Sequence, residues 1–155
     1  MGKDRAREQY ILVSDLSVEN ALKFVQARIG TEIDVKAMMH LFDNVGTNAA
    51  MLNQFVSGKM TVDEFISEKL LDAESELVAF PLKPILGALK QHPDGVSPKF
   101  FKNKEYKGID MSDPVAVGVA MKGSNAFLYD MQTGKYKLMS QAHVVALRKY
   151  DPLNV

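Results

Sequence analysis

The chain has 155 residues, of which 46% are apolar, and its 19 basic and 19 acidic side chains give a formal net charge of zero. This length suits one ordinary domain or two very small ones, and the apolar fraction is that of a globular protein. The absence of cysteine excludes disulfide bonds, thiolate metal sites and a cysteine nucleophile. The absence of cysteine fits an intracellular protein, and we expect no membrane crossing because every apolar run is only a few residues long.

The zero net charge conceals an asymmetry between the two halves. Residues 1–80 carry 8 basic and 13 acidic side chains, a net charge of −5, whereas residues 81–155 carry 11 and 6, a net charge of +5. Two explanations remain open at this stage: the halves dock on each other, or the second half presents a basic face to a partner.

The first 80 residues predict a helical region that follows one short strand. Ser17 is a candidate N-cap, and Gly30 ends the helix that Ser17 begins. Thr61 and Glu64 have the spacing of a capping box, a reciprocal pairing that marks the start of a helix. The predicted elements are a strand over residues 10–13 and helices over residues 17–29, 33–44, 47–57 and 61–79.

Two prolines, Pro81 and Pro84, interrupt the helical pattern, because each removes a backbone amide and disfavours helical geometry in the residue before it. We place a domain boundary there, between residues 80 and 81. A short helix is predicted after Pro84, and it ends in the turn-forming segment 91–95. Ser97 is then positioned to cap a further short helix over residues 99–102.

The segment from residue 103 onward predicts a basic loop and then a third helix. Asp110 or Ser112 precedes this helix, which has Pro114 in its first turn, where a missing amide is tolerated. From the spacing of its apolar residues, Val115, Val119 and Met121 are expected to face inward.

A β-hairpin and a last helix complete the predicted chain. Residues 126–129 and 136–139 are rich in β-forming side chains, and Gly134 suits the turn between them. Ser140 is the candidate cap of the last helix. Helix, short helix, helix, hairpin, helix is the order of a winged helix. We therefore predict a mainly α fold with a small β-hairpin, in which a helical bundle over residues 1–80 precedes a winged-helix domain over residues 81–155.

The sequence contains no phosphate-binding loop of the Walker A type. Such a loop requires Gly-Lys followed by Ser or Thr, so that backbone amides and the lysine surround the phosphates and the hydroxyl holds the metal. The Gly-Lys pairs at residues 2–3, 58–59 and 134–135 are followed by Asp, Met and Tyr. We expect no nucleotide hydrolysis by this chain and predict no catalytic, cofactor or metal site.

The histidines and the acidic helix have ordinary interpretations and functional alternatives. His40, His92 and His143 are far apart and are expected in surface or packing roles; convergence on a metal or a Ser/Asp triad is the alternative. The acidic side chains of the helix over 61–79 are expected to form a solvated face, with paired catalytic carboxylates as the alternative. The methionines at positions 38, 39, 51 and 60 are expected to fill a core, with an adaptable groove for a partner helix as the alternative.

Lysines surround the predicted third helix, but the helix has no side chain that reads bases. A recognition helix in the major groove needs residues such as Arg, Asn or Gln, and residues 113–122 contain none. We therefore favour contacts with protein and keep non-specific contacts with nucleic acid phosphates as the alternative. The candidate partner-binding residues are Lys99, Lys102, Lys104, Lys107, Lys122, Lys135 and Lys137.

Two blocks resemble the helical lid of archaeal-type P-loop ATPases of the AAA+/STAND group. Residues 13–24, with Asp15-Leu16-Ser17, Glu19 and Ala21, resemble the segment through which that family leaves its last core strand and enters the lid. Residues 45–65, with Gly46, Gly58 and the Thr61 to Glu64 capping box, resemble the rest of the lid. In that family a winged helix follows the lid, which is the order predicted here.

This resemblance implies a non-catalytic, regulatory region, because the family's Walker A and Walker B motifs do not occur in the chain. It implies a module that couples the nucleotide state of a parent protein to partners or to assembly. ATP or ADP would be a ligand only if the chain were joined to an upstream P-loop core. Arg28 is then the candidate for the basic lid residue that contacts phosphate in some members.

Overall fold

The structure, a computed structural model, describes residues 15–152. It is mainly helical with small antiparallel hairpins, which confirms the predicted fold class. The chain divides into two compact units, residues 1–70 and residues 71–155, called the first and second unit below. The predicted strand over residues 10–13 lies outside the described residues, and the domain boundary placed at Pro81 stays a prediction.

The described part of the first unit is built from helices whose starts follow the predicted caps. The hydroxyl of Ser17 accepts the N–H of Asn20 at 3.1 Å, and the carboxylate of Asp34 accepts two amides of the next helix. The third helix, predicted to begin at residue 47, is capped by Asn48. The helices are α1 (Val18–Ile29), α2 (Val35–Val45), α3 (Ala49–Ser57) and α4 (Val62–Val78), the last of which continues into the second unit.

The predicted capping box begins helix α4, with one difference in its hydrogen bonds. The hydroxyl of Thr61 accepts the N–H of Glu64 at 3.2 Å, as predicted. The same hydroxyl donates to the carboxylate of Glu64 at 3.1 Å. The carboxylate is thus bound by the Thr61 side chain, whereas in the usual capping box it accepts the backbone amide of the capping residue.

A single apolar cluster holds the helices of the first unit together. Phe55 of α3 and Phe65 of α4 meet edge to face with ring centroids 5.3 Å apart, a favourable geometry for aromatic pairs. Among the methionines, Met38 is buried, Met39 and Met51 pack at the edge of the cluster, and Met60 is exposed. The buried members are Ala21, Val25, Met38, Leu41, Phe42, Val45, Leu52, Phe55, Phe65 and Ile66.

The second unit follows the order of elements predicted for its sequence, with an additional hairpin. Its helices after α4 are α5 (Lys83–Gln91), the 3₁₀ helix Pro98–Phe101, α6 (Pro114–Ala120) and α7 (Gln141–Lys149). Its strands are β1 (Glu105–Tyr106), β2 (Ile109–Asp110), β3 (Phe127–Asp130) and β4 (Lys135–Leu138). Within residues 15–152, no helix is both long and apolar enough to span a membrane.

The four strands form two antiparallel hairpins. In the β3–β4 hairpin, Phe127 lies opposite Leu138 and Asp130 lies opposite Lys135. Val96, between α5 and the 3₁₀ helix, forms an isolated antiparallel β-bridge with Tyr136 of β4. The β1–β2 hairpin lies where the sequence predicted only a basic loop.

Helix α6 presents a different face to the core from the one predicted. Asp113, not Asp110 or Ser112, is its N-cap, with a carboxylate that accepts the N–H of Val115 at 3.0 Å. Met121 is buried as predicted, but the prediction that Val115 and Val119 face inward is wrong: their exposed fractions are 75% and 72%. Val117 is fully buried instead, because α6 packs its opposite side against β2 and β3.

Tyr136 of β4 is at the centre of the second unit's core. Its side chain is fully buried, and its hydroxyl donates to the main-chain oxygen of Met111 at 2.9 Å. The ring lies 5.3 Å from that of Phe127 and 6.2 Å from that of Phe101. This residue therefore joins the β3–β4 hairpin to the 3₁₀ helix and to the segment that leads into α6.

Candidate functional site

The outward side of α6 is an apolar surface with no side chain that can donate or accept a hydrogen bond. Val115, Gly118 and Val119 lie on this side at helical spacing, and all three are exposed. Lys122, one of the predicted partner-binding residues, follows the helix and is also exposed. We call Val115, Gly118 and Val119 the α6 face.

Four of the predicted lysines lie together in residues 99–107, which we call the basic segment. Lys99 lies in the 3₁₀ helix, Lys102 and Lys104 follow it, and Lys107 lies at the tip of the β1–β2 hairpin. All four side chains are exposed, and the segment contains one acidic residue, Glu105, so that its net charge is +3. These four predicted residues, already close in the sequence, are therefore all exposed in the structure.

The tip of the β1–β2 hairpin has the backbone conformation of a tight turn. Lys107 has a φ angle of 52° and Gly108 one of 81°, and positive φ at both central residues is typical of a two-residue hairpin turn. A lysine is uncommon in this left-handed region, where glycine and asparagine are preferred. The turn therefore places a positive charge at the tip of the hairpin.

Aromatic rings accompany these lysines, which the prediction did not include. The ammonium group of Lys104 lies 5.1 Å from the ring centre of Phe100, and that of Lys107 lies 5.4 Å from the ring centre of Tyr106. The Phe100 side chain is 47% exposed, whereas the adjacent Phe101 is buried. The sequence signal that could have found Phe100 is the Phe-Phe pair itself, since a 3₁₀ helix cannot direct two successive side chains into the same core.

The two predicted lysines of the β3–β4 hairpin differ in their surroundings. Lys135 is exposed, whereas the ammonium group of Lys137 forms an ion pair with the carboxylate of Asp130 at 2.8 Å. This contact, with the amide of Gln132 and the side chain of Thr133, lowers the pKa of Asp130 to about 2. Lys137 therefore stabilises the hairpin from within, and only Lys135 of this pair has no such internal role among the described contacts.

The one buried histidine among the described residues belongs to a hydrogen-bonded chain of three side chains. Nδ1 of His143 lies 2.7 Å from the hydroxyl of Ser140, and Nε2 lies 2.7 Å from the carboxylate of Glu76. Ser140 is also the N-cap of α7, and its hydroxyl accepts the N–H of His143 at 3.4 Å. These hydrogen bonds connect the first turn of α7 to the last turns of α4.

The other two histidines have the surface roles expected of them. His40 is exposed, 3.6 Å from the carboxylate of Asp63, and the ring of His92 meets that of Phe100 at 6.2 Å between centroids. Within residues 15–152, no three His, Cys, Asp or Glu side chains lie close enough to hold a metal ion together.

The acidic side chains of α4 are exposed except that of Glu76. The guanidinium of Arg28, the candidate phosphate contact, stacks on the ring of Phe24 at 3.5 Å.

An open cleft of about 270 Å³ lies beside Glu76 in the second unit. Ala79, Pro81 and the segment 120–125 complete its lining. Glu76 is the one acidic side chain of the lining, and it is already bound by His143. The lining also includes Lys122, Ser124 and Asn125, so the cleft offers mixed polar and apolar surface beside a carboxylate that has a partner.

No protein-family model matches the chain, and neither does any curated protein or solved structure. The functional interpretation therefore depends on the α6 face, the basic segment and the order of elements alone.

Proposed function

We propose that the chain is a non-catalytic regulatory module that acts through contacts with protein, like the lid and winged helix of an AAA+/STAND-type ATPase. In a parent protein, such a module couples the nucleotide state of an ATPase core to partners or to assembly. The partner is another protein or the upstream core itself.

The order and pairing of elements in the second unit support the winged-helix part of this proposal. The elements of this unit follow one another in the order of that fold: helix α5, the β-bridge at Val96, the 3₁₀ helix, α6 and the β3–β4 hairpin. The pairing of Val96 with Tyr136 is consistent with the same arrangement, because it joins the segment between the first two helices to the hairpin. In this interpretation α6 occupies the position of the recognition helix.

The observation that carries the proposal is the composition of the α6 face. A helix that reads a DNA sequence offers hydrogen-bonding side chains to base edges, with each good pair contributing about 1–3 kcal/mol of discrimination. The α6 face offers Val115 and Val119, both largely exposed, with Gly118 between them. Exposed apolar side chains at this position favour an apolar protein surface over the polar edges of bases.

The experiment attaches a photoactivated crosslinker to the α6 face. Because the chain has no cysteine, Val119→Cys provides a unique thiol for a benzophenone maleimide. Lys36→Cys, at an exposed position of α2, is the matched control. In extracts of the source cells, the Val119→Cys protein is expected to form discrete, nuclease-resistant adducts with protein that the control does not form. Adducts that disappear on nuclease treatment, or identical adducts from both variants, would contradict the proposal.

A separate titration tests the non-catalytic part of the proposal. The isolated chain is expected to bind neither ATP nor ADP tightly and to hydrolyse neither, because the sequence has no Walker A motif. Isothermal titration calorimetry and a phosphate-release assay provide the measurements. Sustained turnover by the purified chain would sink this part.

The exposed lysines favour one alternative function, a small winged-helix protein that binds nucleic acid through phosphates alone. Lys99, Lys102 and Lys122 are exposed and free of ion pairs among the described contacts, which suits sequence-independent binding. A gel-shift assay with duplex DNA tests this alternative. Phosphate-driven binding weakens steeply with salt, and no binding at low salt removes this alternative.

A further inference from the structure

We propose that the basic segment binds single-stranded nucleic acid, with Phe100 as the surface on which an unpaired base stacks. This inference goes beyond the protein-contact function, because it does not involve the α6 face. The ligand class is a single strand with accessible bases and a phosphate backbone.

The 3₁₀ helix is constructed so that Phe100 points outward. Ser97 caps it, with a hydroxyl that accepts the N–H of Lys99 at 3.3 Å, and Pro98 occupies its first position. Phe101 anchors it in the core, where its ring lies 6.2 Å from that of Tyr136. With Phe101 buried, Phe100 is 47% exposed, and its ring lies 5.1 Å from that of Phe101.

The surroundings of Phe100 distinguish it from an ordinary exposed apolar residue. Single exposed apolar side chains are common and need no explanation. Here, however, exposed lysines at positions 99, 102 and 104 precede and follow Phe100 in the sequence, and the ammonium group of Lys104 lies over the ring at 5.1 Å. A groove that binds single strands combines these two elements, positive charges along the backbone and aromatic rings on which bases stack.

A single strand fits this surface better than a duplex. In a duplex the bases are paired and stacked on each other, so an exposed ring has no base face to contact; an unpaired base offers its whole face. A second ring, that of Tyr106, lies in the same segment with Lys107 at 5.4 Å. An acidic polypeptide would match the charges but would gain nothing specific from an aromatic ring.

The test measures binding of a fluorescein-labelled dT15 oligonucleotide to the full chain by fluorescence anisotropy. Phe100→Leu removes the ring but keeps an apolar side chain, and Phe100→Tyr keeps the ring. We expect Phe100→Leu to weaken binding by up to about five- to 150-fold, the range that corresponds to loss of one base–aromatic stack on alanine substitution. Phe100→Tyr is expected to retain wild-type affinity within about two-fold. Thermal melting of each variant verifies that it is folded.

The phosphate contribution is tested by charge and salt. The double variant Lys102→Gln/Lys104→Gln should weaken binding and reduce the slope of log K against log salt by about 0.7 for each phosphate that is no longer neutralised. The double variant Lys36→Gln/Lys59→Gln, which removes two exposed lysines of the first unit, should leave the affinity and the slope unchanged.

Three results would overturn the inference. The first is no binding of dT15 at 50 mM salt. The second is equal affinity for dT15, for a duplex of the same length and for polyglutamate, which indicates charge alone. The third is a Phe100→Leu variant that binds as tightly as wild type. None of these results affects crosslinking at the α6 face, so the two proposals fail separately.

Discussion

At the scale of single residues, one glycine within α6 and one that follows it have equal space for a side chain but different backbone φ angles. A methyl group on Gly118 or on Gly123 would meet no atom within 4 Å, but Gly123 has a φ angle of +88°, in the region that side chains disfavour. Gly118 lies inside the helix, where glycine is less favourable than alanine.

The substitution Gly118→Ala is therefore expected to raise the free energy of unfolding by about 0.5–1 kcal/mol. The matched substitution Gly123→Ala should lower it by about 1 kcal/mol, because alanine is strained at positive φ. Urea unfolding followed by circular dichroism measures both. If the two substitutions shifted stability in the same direction, the backbone assignment of this segment would be wrong.

Tyr136 is a second residue whose contribution can be measured alone, through pH. Its pKa is raised above its ordinary value near 10, first by burial and then by the charge of Asp113 and by Tyr129 and Asp110. Above pH 10 the unfolded chain loses this proton while the folded chain keeps it. The free energy of unfolding therefore falls as pH rises above 10.

The substitution Tyr136→Phe is expected to remove the part of the stability loss above pH 10 that arises from ionisation of Tyr136. At pH 7 it should lower the free energy of unfolding by about 1–2 kcal/mol, because the oxygen of Met111 loses its hydrogen-bond donor. Unfolding by urea at pH 7, 10 and 11 measures both effects, with Tyr129→Phe in the same hairpin as the control. An alkaline loss of stability in Tyr136→Phe equal to that of wild type would contradict the burial of this hydroxyl.

At the scale of elements, the contact between His143 and Glu76 fastens α7 to α4. The Nε2 atom and the carboxylate are 2.7 Å apart, and the His143 side chain is buried. Glu76→Gln is expected to lower the free energy of unfolding by about 1–2 kcal/mol, the usual effect of weakening a charged hydrogen bond to a buried group. Glu74→Gln, at an exposed position of the same helix, should change it by less than about 0.5 kcal/mol. Equal effects of the two substitutions in urea unfolding would show that this hydrogen bond does not stabilise the fold.

The elements themselves were largely predictable because their ends carry specific chemistry. Ser17 and Ser140 are the N-caps that the sequence predicted, and Asp34 caps a helix close to its predicted start. Gly134, at a φ angle of 67°, lies in the predicted turn. The β1–β2 hairpin was missed because its strands have only two residues each, which is too short for an alternating pattern to be detected.

The orientation of α6 was not predictable from its own sequence. Pro-Val-Ala-Val-Gly-Val-Ala is apolar or small at every position and covers only about two turns, so several helix faces are equally apolar. Packing against β2 and β3 selects Val117 for the core and leaves Val115 and Val119 outside. The candidate surfaces were therefore only partly accessible from the sequence: the lysines could be named in advance and their role stays a prediction, whereas the α6 face and Phe100 required the fold.

At the scale of the whole molecule, the positive charge of the second half can be assigned largely to one segment of the surface. The positive charge of the second half is concentrated in the basic segment, which carries +3 over residues 99–107. The acidic residues of α4 are exposed apart from Glu76, in agreement with a solvated face. The second unit thus offers two different surfaces, the apolar α6 face and the basic segment with Phe100, and the proposals assign them to different classes of partner.

The functional proposal depends first on which side of α6 faces solvent, and thiol reactivity measures this directly. Because the chain has no cysteine, Val115→Cys, Val117→Cys and Val119→Cys each introduce a single thiol. We expect the thiols at positions 115 and 119 to react with Ellman's reagent at the rate of an exposed cysteine, and the thiol at position 117 to react only after unfolding. Rapid reaction at 117 with protection at 115 and 119 would contradict the proposal, since the α6 face would then belong to the core.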